Sequence, residues 1–140
     1  MQPLRILFVT PYVPSLLRTR PNGFLRALIA RGHRIALVAA ASSAAEEEQA
    51  DDLRRLCDSV TVVRVPMARS LWNCALGVAG DEPFQALYSY SPGLAAAVRP
   101  LLRGNAVDVA HIEHLRAARV GLRIEANSGR ESARVMIAFC

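Results

Sequence analysis

The corner His111-Ile112-Glu113-His114 gathers the chain's densest set of groups able to do acid–base work. If a strand runs through it, residues 111 and 113 share one face. An imidazole beside a carboxylate can move a proton or orient a hydroxyl. His111, Glu113 and His114 are therefore the candidate catalytic residues. The same spacing also suits a histidine packed in a crevice and a glutamate capping the next helix, and it leaves both readings open. No third ligand stands at a useful distance, so no metal site is expected.

A second candidate group precedes the first expected helix. Arg18 and Arg20 lead into Asn22-Gly23. Guanidinium groups beside free helix N–H groups suit a phosphate or another anion. Arginines simply solvated on a loop fit equally well. Further on, Pro83 to Pro92 mixes aromatic rings with polar tips; Gln85 and Tyr88 are candidate contacts to a sugar acceptor, and a helix or loop packed against the sheet fits the same residues. There is no G-x-G-x-x-G and no G-x-x-x-x-G-K-[ST], which disfavours a classical dinucleotide site and a P-loop. There is no G-x-S-x-G nucleophile elbow.

These groups need elements to hold them. Leu4 to Thr10 is an apolar, β-rich run stopped by Pro11, as a buried strand would be. The loop Pro11 to Pro21 is longer than the roughly two to six residues usual for a βα connection, which marks it as a functional candidate. Asn22 is expected to cap a helix whose apolar face carries Phe24, Leu25, Leu28 and Ile29. Gly32 should end that helix, and Ile35 to Ala40 should form the second strand. Ser42 to Cys57 reads as one helix, with Glu46, Glu47 and Glu48 as a solvated acidic face. Val60 to Val65 reads as a strand and Leu71 to Leu76 as a short helix. Gly93 to Arg103 reads as a helix, Asp108 to Ile112 as a strand, and Glu113 to Gly121 as the start of another helix.

Strands alternating with helices predict an α/β fold, a Rossmann-like three-layer sandwich around a parallel sheet. Ligands of such sheets bind beyond the carboxyl ends of the strands. The Pro11–Pro21 loop, the segment after Val65 and the His111–His114 corner should share that rim.

Composition agrees with a folded domain. The chain has 140 residues, 52% hydrophobic and 21% charged, which is enough apolar material for a core. No apolar run approaches the roughly 18 to 20 residues of a membrane span. No signal-peptide pattern opens the chain, so a cytoplasmic location is expected. Its net charge is +5, carried by arginines without a single lysine. They are scattered rather than striped, so nucleic acid is not an expected partner; a generic solvated surface is the plainer reading, and weak attraction to an anionic membrane surface or to phosphates also fits. Cys57, Cys74 and Cys140 form no ligand pattern and read as reduced thiols.

Taken in order, ILFVTPYVP, the helix FLRALIARGHRIALVA, EPFQALYSYSP and DVAHIEH resemble the family 4-like glycosyltransferases of the GT-B fold. The EPFQALYSYSP segment is similar to one in bacterial sugar transferases of exopolysaccharide and protein-sorting gene clusters. The resemblance spans about residues 4 to 122. It implies the N-terminal, acceptor-side half of a two-domain enzyme that retains anomeric configuration without a metal or other cofactor. The nucleotide sugar would be a substrate, bound mostly by the C-terminal half, and the acceptor a glycan or a lipid-linked sugar. It also implies that Arg18, Arg20, Asn22 and Gly23 face donor phosphates or acceptor, and that His111, Glu113 and His114 lie at the reacting centre.

Two departures stand out. Only Gly23 is present where many members carry a Gly-Gly pair, and Glu113 replaces the second histidine of the usual His-x-His. The resemblance stops at Leu122. Residues 1–122 are thus expected to form the domain, and residues 123–140 an atypical tail, disordered or a short edge strand, as if the frame had changed or the gene were truncated. The isolated chain is expected to have little or no transferase activity. A different class of function, a non-catalytic Rossmann-like module that docks on a partner chain, also fits.

Overall fold

The computed structural model describes residues 2–77, 80, 91–103, 107–113, 117 and 120–122, with the backbone alone of 134–138. Among the described residues ten elements follow one another. They are β1 (Arg5–Thr10), α1 (Thr19–Ala30), β2 (Arg34–Ala41), α2 (Ala44–Glu48), α3 (Asp51–Leu56), β3 (Ser59–Arg64), α4 (Met67–Gly77), α5 (Pro92–Leu102), β4 (Val109–Glu113) and β5 (Arg134–Ala138). The strands form one sheet in the order β3-β2-β1-β4-β5, and every pairing is parallel. This is the Rossmann-like α/β architecture that the alternation of elements predicts.

The reason lies in the strands. Side chains alternate across a sheet, so Ile6 and Phe8 face one way and Leu7 and Val9 the other. All four are buried, because helices cover both faces. Ile6 and Phe8 join a core with Leu25 of α1 and Leu53 of α3. Leu7 and Val9 join a second core with Leu94 and Val98 of α5. The chain runs outward from β1 through β2 to β3 beneath α1 and α3, then returns under α5 to place β4 on the other side of β1. The strand order therefore reverses between β1 and β4, the position where such sheets open a crevice.

Gly32 ends α1 as expected. It adopts φ +84°, and the Gly32 and His33 N–H groups donate to the carbonyls of Ile29 and Leu28. That is a Schellman cap, which needs the left-handed conformation glycine adopts most easily.

Two expectations are corrected. Asn22 does not cap α1. The helix begins three residues earlier, because Pro21 tolerates the first turn, where its missing N–H would have no intrahelical partner. Asn22 lies inside the helix, buried, and its Oδ1 accepts from Arg26 Nε at 3.2 Å. Nor is Ser42 to Cys57 one helix. It breaks at Gln49-Ala50, where the Ala50 N–H turns to the Glu47 carbonyl three residues back. Ala50 and Leu53 both reach the core.

At the amino edge of the sheet, Arg5 and Asp108 clamp β1 to β4. The Arg5 backbone N–H and guanidinium both donate to the Asp108 carboxylate, and the Asp108 N–H returns a bond to the Arg5 carbonyl. These bonds hold the Asp108 carboxyl below its ordinary range. Among the described residues no helix is long and apolar enough to cross a membrane.

Candidate functional site

Strand β4 runs through Glu113, so His111 and Glu113 do share a face, the one covered by α1. Parallel pairing sets His111 opposite Phe8 of β1. Their ring centroids lie 4.6 Å apart, and Phe24 of α1 closes over the imidazole at 5.1 Å. His111 Nε2 and Glu113 Oε2 are 2.8 Å apart. Both residues are buried. Glu113 is the last residue of the strand.

A buried carboxylate must be compensated by donors or opposite charge. His111 provides the near contact. Arg20, on the first turn of α1, provides the charge, with Nη2 3.7 Å from Glu113 Oε1. A carboxylate can only accept hydrogen bonds, so toward Glu113 as a carboxylate it is His111 Nε2 that donates. The result is an oriented imidazole at the switch point between β1 and β4.

Arg18 goes elsewhere. Its guanidinium lies 4.2 Å from the Tyr12 ring centroid and pairs with Glu46 at 3.3 Å. The Glu46 Oε2 also accepts from the Ser42 N–H and hydroxyl at 2.9 and 2.8 Å. Glu46 is thus a mostly covered member of the carboxyl rim and not one of a solvated acidic face. A signal for its position existed in the sequence. Ser43 and Glu46 stand three apart, and Ser43 Oγ accepts from the Glu46 N–H as in a capping box.

The structure therefore divides the six candidate residues it describes into three groups. His111, Glu113 and Arg20 come together at β1 and β4. Arg18 sits with Glu46 on the β2 side. Asn22 and Gly23 lie past the first turn of α1 and not at its exposed end, and a Cβ on Gly23 would meet nothing within 4 Å. His114, Gln85 and Tyr88 lie outside the described residues. Sequence reasoning missed Phe8 and Phe24 as the walls around His111, because their contact depends on strand register. Among the described residues no cluster of three His, Cys, Asp or Glu could hold a metal ion.

The fold and the rim thus define a Rossmann-like domain with a polar group at its switch point. No protein-family model matches the chain, and no curated protein matches it.

Proposed function

We propose that this chain is the acceptor-side domain of a retaining glycosyltransferase, transferring sugar from a nucleotide sugar to a glycan or lipid-linked acceptor. The observation that carries the reading is the buried His111–Glu113 pair at the β1/β4 switch point, with Arg20 at its edge. In this reading Glu113 fixes the imidazole, Arg20 pairs with the Glu113 carboxylate from the rim, and His111 orients the acceptor hydroxyl. The donor is held by a second Rossmann-like domain, since a single domain cannot close a cleft around it. The work takes place in the cytoplasm, at the face of the inner membrane, where the arginine-rich surface meets anionic headgroups.

The test is genetic first. The DNA downstream of codon 140, read in three frames, should encode a donor-binding domain. Joined to it, the protein should transfer sugar, and His111→Ala should abolish transfer. Absence of such a domain in every frame, or full transfer by the His111→Ala protein, sinks the reading.

A second reading, a docking module without catalysis, is favoured by α4. Met67, Leu71, Trp72 and Leu76 are all exposed on this one helix, with Trp72 at 66%. Large apolar groups clustered on a surface mark a contact face. A chain that co-purifies with one partner, and loses it on Trp72→Glu with no change in fold, would favour this reading.

A further inference from the structure

The Arg18 side of the carboxyl rim holds a cavity that the His111 site does not use. It measures about 200 Å³ and lies beyond the ends of β1, β2 and β3. That is smaller than the roughly 300 to 1,000 Å³ of sites for drug-sized ligands, and it suits a single ring.

Its chemistry follows from six residues, Tyr12, Arg18, Ser42, Glu46, Met67 and Ser70. Charge comes first. Arg18 and Glu46 cancel one another at 3.3 Å, so an anion would meet Glu46 and a cation would meet Arg18. The cavity therefore favours a neutral ligand. Bonding capacity comes next. Ser42 occupies Glu46 Oε2 with two donors, whereas Oε1 takes only the long contact from Arg18. Oε1 can accept again, and the guanidinium has further N–H groups to give. Two neighbouring hydroxyls match this pair, one donating to Glu46 and the other accepting from Arg18.

Ser70 supplies an independent sign. It lines the cavity at 4% exposure, and among the described residues its hydroxyl has no hydrogen-bond partner. Buried polar groups in folded proteins are nearly always bonded, so an orphan of this kind marks a place for a ligand. Tyr12 and Met67 add apolar surface for the C–H face of a ring. We propose that this cavity binds a neutral sugar ring through a vicinal diol. A carboxylate that follows the second strand and holds a ribose diol is a known solution in dinucleotide-binding α/β domains, here reached without their glycine-rich turn. The inference does not rest on glycosyl transfer at His111.

The test is amide NMR on the full 140-residue chain, titrated separately with uridine, 2′,3′-dideoxyuridine, methyl α-D-glucopyranoside and inorganic phosphate. We expect saturating shifts at Tyr12, Ser42, Glu46 and Ser70 with a diol. A response to uridine assigns the ring to a nucleoside ribose, and a response to the glucoside assigns it to a pyranose. Ser70→Ala should weaken that binding about fivefold, the size of one lost hydrogen bond, and leave the melting temperature no lower. Equal shifts with uridine and its dideoxy analogue overturn the proposal. So do shifts with phosphate alone, no saturating shifts at all, or unchanged diol affinity in Ser70→Ala.

Discussion

Two ion-paired carboxylates stand on the same rim and live in different media. Glu113 and His111 have side chains 4% and 7% exposed, enclosed by Phe8 and Phe24. Glu46 and Arg18 have side chains 13% and 43% exposed, beside a cavity open to ligand. Burial makes the first pair costly to break, because each partner loses compensation that water cannot replace. The second pair can exchange its bonds for those of water or a ligand at little cost. The difference separates a site built to hold one geometry from a site built to be entered.

The largest expected effect comes from His111→Ala. It removes the near partner of a buried carboxylate and opens a void beside Phe8, and should cost about 3 kcal/mol in urea unfolding. A loss no larger than that of a surface substitution would mean that water already reaches Glu113, and the contrast would fail. Glu46→Ala should cost about 1 kcal/mol, since it removes an ion pair and the bonds that tie the start of α2 to Ser42. Equal losses from the two variants would also break the comparison.

The arginines sharpen it further. Arg20 and Arg18 are both about half exposed, with side chains at 55% and 43%. Removing Arg20 leaves a buried charge with only His111, whereas removing Arg18 leaves a carboxylate still bonded by Ser42. Arg20→Ala should therefore destabilise by about 1 kcal/mol, and Arg18→Ala by less than half of that. Side-by-side urea curves decide it, and the reverse order would show that Glu46 and not Glu113 depends on its arginine.

What sequence could and could not supply follows the same division. The sheet was readable, because runs such as Leu4 to Thr10 and Ile35 to Ala40 are apolar on both faces and end in turn residues. Gly32 was readable because one backbone conformation demands it. The shared face of His111 and Glu113 followed from strand period alone. The start of α1 was not readable, because Pro21 and Asn22 both suit a helix entrance and local chemistry does not choose between them. The fate of Glu46 was hidden for a different reason. Capping-box spacing from Ser43 marks Glu46 among three adjacent glutamates as a helix-start residue, but its pairing with Arg18 depends on the path of that loop. The partition of Arg18 and Arg20 between two sites is likewise a product of tertiary placement, since two residues only two positions apart at a helix start can reach opposite sides of a strand.

The smallest expected effect sets the lower end of the scale. Arg5 and Asp108 form a geometrically good pair at the amino edge of the sheet, with side chains 46% and 36% exposed. Hydrogen bonds from Arg5 lower the Asp108 pKa from its ordinary 3.8. A carboxyl whose folded pKa is depressed binds protons less readily than in the unfolded chain. Its stabilisation is present above the unfolded value and is lost as pH falls through the folded one. Between about pH 5 and pH 2 the urea midpoint of the wild type should thus fall with a component that Asp108→Asn lacks, and the two curves should draw together at the acid end. Above that window the whole of the contribution is present, and it is small because solvent screens the pair. Parallel curves across the whole range would show that the clamp registers β1 against β4 through its backbone bonds alone, with the charge adding nothing.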